Sequence, residues 1–188
     1  MTEQPTERAR ERALAMLRAA GAEDVEHPGG TLFAHLVRVS DLLAAWGARP
    51  ALVSAGLCHA FYGTDGFPVV LLDVGRRAEL AEAIGAEAEA LVHLYASCDR
   101  DASHSELADD KGTFVDRFTG GRVYPSLAER RDFAELTVAN ELDIVTVNPE
   151  ARDRYGADLL ALFTRWRPLL SEPARAHCRD VLANPGQG

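Results

Sequence analysis

The sequence has little of what marks several large classes of protein. Its three cysteines, Cys58, Cys98 and Cys178, are widely spaced and form no C-x-x-C pair, a usage that fits a reducing cytoplasm better than a disulfide framework. No apolar run approaches the ~20 residues that a membrane span needs. The N-terminal stretch MTEQPTERARERA also lacks the apolar segment of a signal peptide. We therefore expect a cytoplasmic protein with no membrane partner.

Positive charge is also scarce. The chain of 188 residues has 20 Lys and Arg against 29 Asp and Glu, a formal net charge of −9, and shows no basic stripe. Such a balance repels a phosphate backbone, so nucleic acid is not an expected partner. What is present is a globular composition, with 47% hydrophobic and 26% charged residues. The length favours a single domain over residues 1–188.

Hydrophobic periodicity predicts helices along nearly the whole chain. A first helix covers 6–20, and Thr31 is placed to cap a second one that runs to Trp46. Pro50 opens a short and almost wholly apolar helix. Further helices are predicted over 76–84, 85–98, 155–167 and 172–183.

A long helix is predicted between two local signals. Ser126 and Glu129 form an S-x-x-E capping box at its start, and Pro149 closes it after about Val147. Loops are expected over 27–30, 61–68 and 99–112, and NPGQG is expected to be a tail. Residues 113–125 predict a small hairpin that turns at Gly120-Gly121. The expected fold class is all-α with this small β-hairpin insertion.

Three polar residues fall among apolar ones at helical spacing. His35 shares the stripe of Val39 and Leu42, His59 lies on a face without solvating residues, and Asn140 stands within VANELDIVTV. A buried polar group without a partner costs roughly 1–3 kcal/mol. Three such groups on separate helices are most simply explained by one shared site. In the alternative interpretation, each is a core residue with its own hydrogen-bond partners.

Around these residues the chain resembles the HD-domain superfamily of metal-dependent helical enzymes, with a local likeness to its alarmone hydrolases. The stretches that carry the resemblance are TLFAHLVRVSDLLAAWGARPALVSAGLCHA, IGAEAEALVHLYASCDR and LTVANELDIV, within about 30–147. The resemblance implies an HD-like helical bundle with C-terminal helices over 155–183. It also implies that His35 matches the first metal-binding histidine and His59 the histidine of the His-Asp pair.

The sequence departs from that family at its acidic positions. Ala60 stands where the aspartate of the pair is expected, and Asn140 stands where the last metal-binding aspartate is expected. The loop FYGTD lacks the two adjacent acids of the hydrolase branch. A shift in alignment would instead bring Glu141 or Asp143 to the metal, and this alternative stays open.

A donor set of histidines without carboxylates favours transition metals. Mg²⁺ and Mn²⁺ prefer carboxylate oxygen, whereas imidazole suits iron, zinc or copper. His93 resembles in placement the additional histidine of the two-iron, oxygen-using branch, and His27 is a further available imidazole. The expected metal is iron, with zinc or manganese as alternatives, or no metal at all. The candidate metal ligands are His27, His35, His59, His93 and Asn140.

Four further residues are candidates for catalysis. Tyr62 and Thr64 follow His59 in a loop expected to line the site, where a phenol and a hydroxyl can orient substrate or donate a proton. The alternative is that Gly-Thr-Asp-Gly is simply a turn. Glu141 and Asp143 are acids in an apolar stretch, suited to orient a ligand histidine or to act as a base.

These observations predict an enzyme that processes a small molecule at a histidine-rich transition-metal site. Redox or lyase chemistry is favoured because the acids of the hydrolases are missing. One alternative is a metal-dependent phosphohydrolase, and another is a non-catalytic domain that binds a ligand or a partner. Arg117 and Arg122 flank the hairpin and suit an anionic substrate. An exposed apolar face on a terminal helix would allow a homodimer.

Overall fold

The computed structural model describes residues 4–109 and 111–183, and it is mostly helical. Its helices are α1 (Gln4–Ala19), α2 (Leu32–Ala45), α3 (Pro50–Cys58), α4 (Arg77–Ile84), α5 (Ala86–Ser97), α6 (Arg100–Ser103), α7 (Leu127–Val147), α8 (Pro149–Arg165) and α9 (Glu172–Cys178). The antiparallel strand pairs are β1 (Glu26–His27) with β2 (Gly30–Thr31), and β3 (Phe114–Val115) with β4 (Arg122–Val123). The helical class and the hairpin near 113–125 are confirmed, while the HD-like arrangement stays a prediction.

The chain divides into two compact units by its internal contacts. The first is Met1–Cys98 and the second is Asp99–Gly188. The prediction of a single domain stays a prediction. None of the helices in residues 4–109 and 111–183 is long and apolar enough to cross a membrane.

Helix starts that rest on local capping signals were predicted correctly. The Thr31 hydroxyl accepts a hydrogen bond from the Ala34 amide at 3.2 Å, and Pro50 occupies the first turn of α3. At α7, the Glu129 amide donates to the Ser126 hydroxyl at 3.3 Å, and the Ser126 amide donates to the Glu129 carboxylate at 2.8 Å. Both halves of the predicted capping box are therefore present.

The predicted start of the next helix is wrong. The helix expected over 155–167 begins at Pro149. The Asn148 side chain accepts a hydrogen bond from the Ala151 amide at 3.1 Å, and Pro149 lies in the first turn. A proline there needs no amide hydrogen and has the right φ angle. Pro149 therefore both ends α7 and begins α8.

Three other segments differ from the prediction. The helix expected over 172–183 ends at Cys178 and continues as a π-helix over Arg179–Ala183. The loop expected over 99–112 contains α6, because the Asp99 carboxylate accepts a hydrogen bond from the Ala102 amide at 3.0 Å. The loop expected over 27–30 closes the strand pair β1–β2. The tail NPGQG lies outside the described residues.

In the first unit, α2 and α3 approach closely at Gly56. A Cβ atom there would lie 2.5 Å from Leu43 Cδ1 and 3.6 Å from Ser40 Cα. The Ser40 hydroxyl donates to the Val53 carbonyl at 3.0 Å, which ties the two helices together at the same level. Because Gly56 lies near the end of α3, this close approach holds the residue after the helix, His59, near α2.

Replacing Gly56 by alanine is expected to destabilise the protein by about 1–3 kcal/mol, because the added methyl group overpacks the contact with Leu43. Urea unfolding measures this change. Gly156 is the matched control, since a Cβ atom there meets nothing closer than 3.7 Å. Gly156→Ala should leave stability unchanged or raise it through helix propensity. Wild-type stability in Gly56→Ala would contradict the close approach.

The second unit is built around α7. The ring of Phe133 lies perpendicular to that of Phe114 at 5.3 Å, and it also contacts Trp166. Arg130 on the same helix donates from Nη1 to the carbonyl oxygens of Leu107 and Asp109, at 3.0 and 2.6 Å. These bonds hold the connection after α6 against α7.

Candidate functional site

Three histidines of the first unit lie together. His27 comes from β1, His35 from α2 and His59 follows α3 directly. The rings of His35 and His59 are nearly perpendicular, with centroids 5.4 Å apart, and the ring of His27 stacks on that of His35 at 4.0 Å. We call these residues the histidine cluster. It brings together three of the five predicted metal ligands.

The β1–β2 turn positions His27. Gly29 adopts a φ of 80°, a conformation that favours glycine, and this lets the chain reverse so that His27 pairs with Gly30. Thr31 follows and caps α2, which carries His35. Because the β1–β2 hairpin leads directly into the Thr31 cap of α2, the imidazole of His27 lies against that of His35.

The ring of His59 has a defined orientation and tautomer. Its Nδ1 lies 2.8 Å from the carbonyl oxygen of Gly56. A carbonyl only accepts hydrogen bonds, so Nδ1 carries the hydrogen, and the neutral ring has its lone pair on Nε2. Tyr95 packs edge-on against the ring, with centroids 5.3 Å apart. A histidine held in this way is suited to bind a metal ion through Nε2.

The loop after His59 reaches the histidine cluster through Phe67. Its ring meets that of His27 edge-on at 5.3 Å. Thr64 is buried and closes the turn, since its amide donates to the Phe67 carbonyl at 2.9 Å and the Phe67 amide donates back at 3.1 Å. Turn formation, the alternative interpretation of Thr64, is therefore present, and Phe67 is the side chain that this turn presents to His27.

Tyr62, three residues after His59, belongs to a buried polar network. Its hydroxyl donates to Glu89 at 2.9 Å, and Arg77 donates to both oxygens of the same carboxylate, at 2.6 and 2.8 Å. Burial and the bond to Glu89 raise the pKa of Tyr62 above its usual value, so the phenol keeps its proton at neutral pH. The network anchors the start of the loop that carries Phe67.

The other predicted site residues have partners of their own within each unit. The ring of His93 neighbours that of Tyr62, at 6.5 Å between centroids. In the second unit, Asn140, Glu141 and Asp143 lie on α7. The Asn140 amide donates to Glu141 at 3.1 Å, and an arginine of α6 donates to the same oxygen at 3.2 Å. Glu141 is thus bound to a neighbouring amide and a guanidinium group.

Sequence reasoning missed Phe67 and Tyr95, which contact the cluster, and Arg77 and Glu89, which form the network of Tyr62. For Glu89 a signal exists, because it precedes Val92 by three residues and Ala96 by seven, on the buried face of α5. An acid on such a face needs a cationic or hydrogen-bonding partner. For Arg77 no local pattern marks the contact, since twelve residues separate it from Glu89.

The spacings of the imidazole rings fit a metal ion only in part. Two imidazoles bound tetrahedrally at about 2.1 Å would have ring centroids about 5.3 Å apart, which matches the 5.4 Å between His35 and His59. The stacked ring of His27 is too close to His35 for this geometry. Accordingly, no group of three or more His, Cys, Asp or Glu side chains in the described part of the chain is arranged to hold a metal ion.

Comparison with known protein families finds a match that covers most of the first unit. Residues 16–100 are similar to a domain of unknown function (DUF6817). This stretch contains the whole histidine cluster and the network of Tyr62, Arg77 and Glu89. No curated protein and no solved structure matches the chain.

Proposed function

We propose that the histidine cluster binds a transition-metal ion and that the protein acts there on a small molecule. The observation that carries the proposal is the pair His35 and His59, whose perpendicular rings have the spacing of two ligands on one ion. Because His59 Nδ1 is hydrogen-bonded to Gly56, the proposal assigns the coordinating role to Nε2. His27 would serve as the third ligand with its ring turned away from the stack on His35.

The donor set limits the metal and its chemistry. Three imidazoles without a carboxylate favour iron, zinc or copper over magnesium or manganese. Such an ion would supply Lewis-acid or redox chemistry. Because the acids that activate water in the hydrolases are missing, redox or lyase chemistry is favoured over phosphoester hydrolysis. Two aromatic side chains pack against the imidazoles, Phe67 against His27 and Tyr95 against His59.

A second candidate function is ligand binding without a metal. The stack of His27 on His35, with Phe67 against His27, is an arrangement of flat rings rather than of converging lone pairs. Stacked rings of this kind suit a planar organic molecule, which packs face to face on them. The stack therefore favours this candidate, whereas the geometry of His35 and His59 favours the metal.

Metal analysis of the full chain tests the two candidates. The protein is purified without a histidine tag from cells supplied with iron, zinc or manganese, and its metal content is measured. We expect about one ion per chain, with iron or zinc retained and manganese lost on dialysis. Protein that retains no stoichiometric metal from any of these media would overturn the proposal and leave the metal-free candidate.

A further inference from the structure

We infer that the second unit contains a binding site for a small organic anion, in a cavity between α8 and α9. The cavity has a volume of about 130 Å³. It is lined by Leu160, Phe163, Thr164, Arg167, Leu170, Arg175, Cys178 and Arg179. All of these residues lie outside the stretch that matches the domain of unknown function, and the inference does not depend on the histidine cluster.

The cavity is strongly positive for a chain of net charge −9. Three arginines line it and no carboxylate does. Glu172 binds Arg175 at 3.1 Å and Arg179 at 3.3 Å, and the Glu135 carboxylate acts on Cys178, so two negative charges are set against three positive ones. Arg167 makes no ion pair with any of the residues described. An anion in the cavity would balance this charge, and guanidinium groups bind carboxylates and phosphates through paired hydrogen bonds.

One donor at the cavity needs an acceptor. Nε of Arg175 is buried, and it has no hydrogen-bond partner among the residues that the structure describes. A buried donor in a native protein normally has an acceptor from protein, water or an ion. An oxyanion bound in the cavity would supply one, and Arg175 would then be held by Glu172 on one side and by the ligand on the other.

The rest of the lining is apolar or uncharged. Phe163 and Leu170 are buried side chains, and the Thr164 hydroxyl donates to the Leu160 carbonyl at 2.7 Å. Burial, followed by the charge of Glu135, raises the pKa of Cys178 to about 12, so its thiol is neutral and does not oppose an anion. Cationic groups beside apolar side chains favour a ligand with an oxyanion group attached to a small apolar group. The volume suits a molecule of about ten non-hydrogen atoms, such as an aryl carboxylate or an aryl phosphate.

The backbone at this site is also unusual. Arg179 begins the π-helix that continues α9. Such segments are rare and occur frequently at functional sites. The wider turn begins at a residue that contributes a guanidinium group to the cavity.

Calorimetric titration of the full chain at low ionic strength tests the inference. The probes are benzoate, phenyl phosphate, inorganic phosphate and the neutral analogue benzamide. We expect benzoate or phenyl phosphate to bind, and inorganic phosphate and benzamide to bind at least about tenfold more weakly. Benzamide that binds as tightly as benzoate would overturn the assignment of an organic anion. Binding of inorganic phosphate without binding of either aryl anion would overturn it as well.

Variants locate the site. Arg167→Gln and Arg175→Gln are each expected to weaken binding of the aryl anion about tenfold or more. Arg165→Gln removes the same charge from an exposed position of α8 that does not line the cavity, and it should leave binding unchanged. If Arg175→Gln fails to fold, the inference is tested with Arg167→Gln. The side chain of Arg167 is exposed and makes no ion pair among the described residues, so its replacement should not disturb folding. Binding that is equal in Arg167→Gln and Arg165→Gln would overturn the inference.

Discussion

Replacing His59 by alanine is expected to lower the affinity of the full chain for Zn²⁺ by about 100-fold or more. His59 is the imidazole of the histidine cluster whose tautomer is fixed, through its bond to Gly56. Its loss removes one of the two proposed ligands, whose ring spacing fits a single ion. A competition titration with a chromophoric chelator measures the affinity.

Substitutions of the other two cluster histidines are expected to lower the zinc affinity to different degrees. His35→Ala should be as severe as His59→Ala, because it removes the second member of the fitting pair. His27→Ala should be milder, since His27 must first leave its stack on His35. His177→Gln removes one imidazole from α9 in the second unit and is the matched control, with wild-type affinity expected. Equal affinity in His59→Ala and His177→Gln would show that the metal site lies elsewhere or does not exist.

Replacing Arg77 by alanine is expected to destabilise the protein by about 2–3 kcal/mol. The side chain of Glu89 is only 6% exposed, and two of its three observed donors belong to Arg77. Without the guanidinium group, the buried carboxylate keeps a single neutral donor, the phenol of Tyr62. The estimate lies below that for a fully buried pair because Arg77 is 39% exposed and is screened by water. Urea unfolding at neutral pH measures the change.

Arg76 offers a matched control for this prediction. It also binds a carboxylate through two hydrogen bonds, to Glu79 at 2.7 Å each, but both side chains are at least half exposed. Arg76→Ala should therefore change stability much less than Arg77→Ala. Adding Glu89→Gln to Arg77→Ala should recover part of the loss, because it removes the unpaired charge. Equal effects of Arg76→Ala and Arg77→Ala would contradict the buried network.

The helix starts that were predictable depend on residues close together in sequence. Thr31, Pro50 and Ser126 each lie within three residues of the groups that they cap or begin. The start of α8 carries an equally local signal, in Asn148 and Pro149, but this proline was interpreted only as the end of the preceding helix. A proline between two helices can both end the first helix and begin the second. A capping residue directly before the proline identifies the start of the second helix.

The candidate site was only partly predictable. His35 and His59 were identifiable because their positions fall on apolar faces, and helical spacing alone shows this. The stacking of His27 follows from the β1–β2 turn, in which two-residue strands are too short to leave an alternating pattern. The partners of Glu89 lie 12 and 27 residues away in the sequence. Contacts of that kind are set by packing, and no local signal predicts them.

X-ray absorption at the zinc edge of the tag-free full chain, loaded with one equivalent of zinc, tests the metal site most directly. The predicted spectrum has a first shell of nitrogen at about 2.0 Å, with outer-shell scattering from two or three imidazole rings. His59→Ala should lose one ring from this signal or bind no zinc. A first shell of oxygen or sulfur without imidazole scattering, or a spectrum unchanged in His59→Ala, would contradict the assignment of the histidine cluster as a metal site.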